Sequence, residues 1–169
     1  NAVSPIDPFE NISEEEKSFL LGRMDLKNFA RRTVIFSDGD PSDDVYFIKE
    51  GRIRTYKTTI TGQELTTGLW SRGYILGLLS AITHRERFLS AETLDHAEMY
   101  RISIAELEKM SPEVPQFFLN LTRAIATTAA TGLERVIQQA TDSAASRLAS
   151  VLISLAQLPE SKTETGEYV

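Results

Sequence analysis

Two glycines, a paired arginine and two histidines are the residues of this chain whose types and spacing could do chemistry. Gly73 and Gly77 flank Tyr74-Ile75-Leu76, so the backbone there can tuck close to a ligand. Downstream lies Arg85-Glu86-Arg87. Arg87 has two readings: a guanidinium holding a carboxylate or phosphate through paired N–H bonds, or, by default, one member of a solvated loop charge cluster. The segment from Leu76 to Ile82 is strongly apolar, so a ligand there would be small and hydrophobic or anionic. His84 falls in a loop and His96 at a turn, too scattered for a metal cluster, and none is expected. Asp38-Gly39-Asp40-Pro41-Ser42-Asp43-Asp44 has the acids of a calcium loop but lacks Gly at its sixth position and the terminal acid. It reads as a solvated turn. No nucleophile–base pair has usable local spacing and no P-loop is present, so no enzyme is expected.

The chain that must position these residues has 169 of them, with 18 Lys+Arg against 24 Asp+Glu and a net charge of −6. That length allows one ordinary domain with a small appendage, large enough to be stable without staples. The absence of cysteine removes disulfide frameworks, thiol sensing and iron–sulfur ligation, and fits a cytoplasmic protein. No run of about 18 apolar residues exists, so no membrane span is expected. The start, Asn1-Ala2-Val3, has no Met and no signal-peptide pattern and reads as trimmed. The acidic balance argues against strong nucleic-acid binding by this stretch itself.

Ser13-Glu14-Glu15-Glu16 is a capping box, and it predicts a short helix over 13–23. From about 25 to 102 the chain breaks into short β-rich runs with glycines at 39, 51, 62, 73 and 77. The runs are Thr33–Phe36, Val45–Lys49, Arg52–Thr59, Glu64–Trp70, about 88–94 and about 96–102, which predict an antiparallel sandwich or barrel. Ser103-x-x-Glu106 opens another short helix, ended by Ser111-Pro112. A long helix is predicted over 116–139, about 37 Å at 1.5 Å per residue. Its stripe of Phe118, Leu121, Ile125, Thr128/Ala129, Gly132 and Val136 predicts pairing with a second helix. A fresh N-cap at Thr141-Asp142 precedes a helix with the face Leu148, Val151, Leu152, Leu155 and Leu158, stopped by Pro159. Glu167-Tyr168-Val169 reads as the beginning of a strand.

Glycines 12, 11, 11 and 4 apart, the strand pair Val45-Tyr46-Phe47-Ile48-x-x-Gly51-x-Ile53-Arg54 and the run Ala145-Ser146-Arg147-Leu148-Ala149-x-x-Leu152 together resemble a family. It is that of the bacterial transcription regulators of the cAMP receptor protein/FNR type, and the resemblance covers about 9–165. It implies a mainly β fold with helices: an antiparallel double-stranded, cyclic-nucleotide-binding-like β-roll followed by a long dimerisation helix. The implied domains are a sensor over 1–112, a dimerisation helix over 113–140, and over 141–169 the start of a winged helix-turn-helix domain otherwise missing from this chain.

The same resemblance places an effector site at Gly77, Leu78, Leu79, Ser80, Arg87 and Phe88, with Thr128, Gly132 and Leu133 from the long helix. Family members that bind cAMP carry a Glu after this glycine for the ribose, a hydroxyl residue beside the phosphate arginine, and hydroxyl residues on the helix for the adenine. Here Leu78, Phe88 and Gly132-Leu133 stand at those places, and Arg87 alone retains its match. The expectation is a sensor that does not answer to cAMP and whose small-molecule effector is unknown. Haem-binding members use a His near this loop, but His84 is expected to be a surface residue, with no cofactor. The dimer interface is expected at Phe118, Leu121, Ile125, Ala129, Gly132 and Val136. The implied partners are a second copy, DNA through the missing C-terminal domain, and RNA polymerase. The rivals are a stand-alone cyclic-nucleotide-binding-like regulatory module and a cupin-type metalloenzyme, which would need a histidine cluster this sequence lacks.

Overall fold

The computed structural model describes residues 6–141, 148–149 and 151–153. The first helix, α1 (Glu14–Leu21), begins where the capping box puts it: Ser13 Oγ accepts from Glu16 N at 3.2 Å, and Ser13 N donates to Glu16 Oε2 at 2.8 Å. Eight strands follow: β1 (Asp25–Phe29), β2 (Val34–Phe36), β3 (Asp44–Glu50), β4 (Ile53–Thr58), β5 (Glu64–Trp70), β6 (Ile75–Leu76), β7 (Ser90–Thr93) and β8 (Ala97–Ser103). The short helix α2 (Leu78–Ile82) interrupts them, and α3 (Ile104–Lys109) and α4 (Pro115–Thr141) follow β8. The mainly β expectation with a long final helix is met.

The strands form two four-stranded antiparallel sheets, in the orders β1-β8-β3-β6 and β2-β7-β4-β5. Between them lie Tyr46, Ile48, Ile53, Leu76, Ala91, Ala97 and Met99, with Phe29, Phe36, Trp70 and Tyr74 packed at the margins. In β3 the four consecutive residues Val45–Ile48 are all buried, although strand side chains alternate between faces. Tyr46 and Ile48 enter the space between the sheets, while the Phe47 ring meets Phe117 of α4 at 5.7 Å. A strand covered on both faces reads as an unbroken apolar run.

Positive φ at Gly39, Gly51, Gly62, Gly73 and Gly77 confirms a turn or irregular backbone at each glycine read as one. In α3 Ser103 caps Glu106 N at 3.2 Å, but the Glu106 carboxylate turns to Lys109 Nζ at 2.6 Å. The strand β1 was not singled out in the sequence; its register with β8, Asp25↔Arg101 through Phe29↔Ala97, makes it one.

The chain divides into a compact unit of Pro5–Ala124 and a second running from Ile125 onward. The first unit therefore extends past residue 112 and takes in the first turns of α4, where Val114, Phe117, Asn120 and Leu121 are buried. In the second, α4 continues through Thr141, so no break falls at the expected cap there; Asp142 lies outside the described residues. Leu148, Val151 and Leu152 are helical and more than half exposed. Leu155, Leu158, Pro159 and the strand expected at Glu167–Val169 also lie outside the described residues.

Candidate functional site

The apolar pair Ile75–Leu76 forms β6 against Phe47 and Tyr46 of β3, and the chain then turns at Gly77, with φ +79°. A Cβ there would stand 2.2 Å from Arg87 Nη1, so both the turn and the close approach of a guanidinium require glycine. Leu78, Ser80 and Ala81 of α2 point inward and are buried, while Leu79 and Ile82 are about half exposed.

Arg87 overturns the default reading of a solvated charge cluster. Arg85 and Glu86 are exposed, but Arg87 is 3% exposed. Its backbone is clipped to the β2–β3 loop: Arg87 N donates to Asp40 O at 2.8 Å and Gly39 N donates to Arg87 O at 2.7 Å. That clip turns the side chain into the roll. Nη1 donates to Gly77 O at 2.8 Å and to Ser80 Oγ at 3.4 Å, and Nη2 donates to Asp44 O. The guanidinium lies 4.4 Å above the Phe36 ring.

Two properties of this group matter chemically. Among the described residues no carboxylate makes an ion pair with Arg87, and its buried Nε has no hydrogen-bond partner. Burial pushes its pKa down, opposed by the nearby acidic groups of Tyr46, Asp44, Asp43 and Asp40. The buried cation is therefore held by carbonyls, a hydroxyl and a ring, with the acids at 40, 43 and 44 acting on it from a distance rather than through a direct ion pair. Tyr46, in the same region, has its pKa raised by burial and by the Asp44 charge.

The remaining candidates are described one by one. Phe88, expected as an effector contact, is 49% exposed, and its carbonyl accepts from Lys57 Nζ at 3.2 Å. Leu78 is 4% exposed, so a sugar hydroxyl set beside it would lose water without gaining a partner, at a cost of about 1–3 kcal/mol. Thr128, Gly132 and Leu133 are exposed on the second unit's part of α4. His84 is at the surface with φ +50°, its Nε2 3.6 Å from Glu108 Oε1. Asp38 of the acidic turn pairs with Lys57 at 2.7 Å. Among the described residues no group of three His, Asp or Glu could hold a metal. A crevice of about 300 Å³ runs along Pro41–Asp43 and His84–Glu86 and includes none of the expected effector residues.

The expected dimer stripe is also altered. Leu121 is 4% exposed within one chain, because it shares the α4 face of Phe117 and Asn120 that packs in the first unit. Phe118 is partly covered, with its ring 5.6 Å from that of Phe117. Ile125 is partly exposed, and Ala129, Gly132 and Val136 are exposed. The sequence reading missed Asp44, which acts through its main-chain carbonyl, and Phe36, which lies under the guanidinium. A carbonyl leaves no trace in residue type, and Phe36 reads as one more core residue.

Comparison with known proteins bears on this geometry. Residues 26–112 match the model of the cyclic nucleotide-binding domain. The chain is 28% identical over 102 residues to the global nitrogen regulator of Nostoc sp., covering 59% of this chain and 46% of that protein. It is 25% identical over 118 residues to the cyclic AMP receptor protein of Thermus thermophilus, covering 70% of this chain and 55% of that one. In fold it resembles the c-di-GMP responsive global regulator CLP of Xanthomonas campestris, with a TM-score of 0.80 and 18% identity over 92% of this chain and 78% of that one. The chain spans about half the length of the curated relatives it matches. No described helix is long and apolar enough to cross a membrane.

Proposed function

This chain belongs to the cyclic nucleotide-binding domain family, and from that premise we propose that it is the effector-sensing and dimerising part of a DNA-binding transcription regulator that does not respond to cAMP. One observation carries the reading: Arg87 is buried under Gly77 with no carboxylate on it, while the apolar Leu78 stands beside it. That pairing suits a small molecule bearing a carboxylate or phosphate and lacking a sugar. It does not suit a nucleotide, whose ribose would meet Leu78. Titration calorimetry of the chain with cAMP tests this directly. No binding is expected up to millimolar nucleotide, and micromolar affinity would overturn the reading of Leu78.

The regulator function is supported by the likeness to the nitrogen regulator and the receptor protein over the roll. DNA reading is assigned to the part of those relatives' length that this chain does not span, with RNA polymerase a partner of the whole protein. Dimerisation is assigned to the exposed residues of α4, in particular Val136, which is 62% exposed in the single chain. Light scattering at micromolar concentration is expected to give the mass of two chains, and of one for Val136→Glu. Because Val136 is exposed, the new charge has little to disturb within a monomer. A monomeric wild type would sink the dimer.

A further inference from the structure

Asn120 is a fully buried polar side chain in the first unit, and the function proposed above does not use it. Its Nδ2 donates to two main-chain carbonyls of the N-terminal arm, Pro8 O at 3.1 Å and Glu10 O at 2.7 Å. Its Oδ1 accepts from Gln116 Nε2 at 3.0 Å. The arm is shaped to present those carbonyls: Phe9 N donates to Asp7 Oδ1 at 2.9 Å, Glu10 N donates to Asp7 O at 3.1 Å, and Asn11 has φ +57°. Around the amide, the rings of Phe9, Phe47 and Phe117 meet at 5.5–6.2 Å, joining the arm, β3 and α4.

An apolar residue of similar volume at 120 could pack in this cluster but would leave the Pro8 and Glu10 carbonyls without their donor. An amide must make its bonds or be penalised, and here both donors are satisfied only at one axial setting of α4 against the arm. Ring packing tolerates sliding; two hydrogen bonds to adjacent carbonyls do not. The strand β3 that carries Phe47 also carries Asp44, whose carbonyl takes the Arg87 guanidinium. One strand therefore touches both the buried arginine and the ring cluster at the base of α4.

We propose that Asn120 is a positioning residue: it pins α4 to the arm at Pro8 and Glu10 and so holds the helix in register with β3 and the loop 77–88 anchored on β3. A change at Arg87 then reaches α4 through β3, and the arm decides whether the helix follows. This rests on the reading of α4 as the output element, but its test needs neither effector nor DNA. The cAMP titration and the dimer measurement can therefore fail while this holds, and the reverse.

The test is amide hydrogen exchange on the 169-residue chain carrying Asn120→Leu, which keeps bulk and removes the pin. Exchange is expected to quicken at least tenfold at residues 7–11, at 116–121 and in the loop 77–88, with β4, β5 and β7 unchanged. Asn120→Ser, which removes both donors to the Pro8 and Glu10 carbonyls without adding bulk to the ring cluster, is expected to give the same pattern and serves if Asn120→Leu does not fold. In an Arg87→Lys background, the two effects on the loop should be non-additive. Acceleration confined to 7–11, acceleration spread evenly over every strand, or additive effects would each overturn the proposal.

Discussion

Gly51→Ala is expected to lower the stability of the roll by about 2–5 kcal/mol, a large share of the roughly 5–15 kcal/mol that holds a domain folded. Gly51 has φ +95°, and an L-residue there pays about 1–2 kcal/mol for the left-handed backbone. The new Cβ would also lie 2.6 Å from His96 O and 2.7 Å from both Ala97 Cα and Cβ. Those atoms cannot yield cheaply: Ala97 is wholly buried, begins β8 and is paired with Phe29. Overpacking against a fixed backbone adds about 1–3 kcal/mol. Gly62→Ala is the control, since Gly62 has φ +79° but nothing within 4 Å, and only the conformational cost should appear. Urea unfolding should show the midpoint of Gly51→Ala falling well below that of Gly62→Ala, with similar slopes. Equal midpoints would mean that β8 moves aside.

Arg87→Lys keeps the charge and is expected to fail nonetheless. The planar fork of the guanidinium spans Gly77 O with one terminal nitrogen and Asp44 O with the other. A single ammonium is a point donor and cannot bridge the same two carbonyls, and it loses the stacking over Phe36. One buried carbonyl is left unpaired, at about 1–3 kcal/mol. The loss should be local: amides of 77–88 exchange at least tenfold faster, while those of β4 and β5 hold. A variant as stable as the parent, with an unchanged loop, would return Arg87 to the solvated cluster that its charged neighbours suggest.

Much of the architecture was legible because its signals are local. Ser13 with Glu16 declares a helix start within four residues, and a glycine before or after a β-rich run declares a turn without reference to anything distant. The long helix was legible because no proline interrupts 116–139, and the tight turn before α2 because Gly77 directly precedes the apolar Leu78. The β1 strand was not, since Asp25-Leu26-Lys27-Asn28-Phe29 has no strong alternation and becomes a strand through pairing with β8, some seventy residues later.

The amino-acid sequence by itself determined the order of elements, the turn positions and the residue types of the loop 77–88, including the apolar Leu78 after Gly77. Only the tertiary structure decided what those residues face. Arg87 sits between exposed Arg85 and Glu86, yet backbone bonds to Asp40 and Gly39 turn it inward, where burial rather than residue type sets its chemistry. The helix α4 carries apolar residues on more than one side, and the sequence cannot say which side its own chain takes. Phe47 of β3 selects Phe117 and with it the face of Asn120 and Leu121, which removes Leu121 from the surface and leaves Val136 on it. Periodicity states that a face is apolar; contacts between residues far apart in the chain determine what covers it.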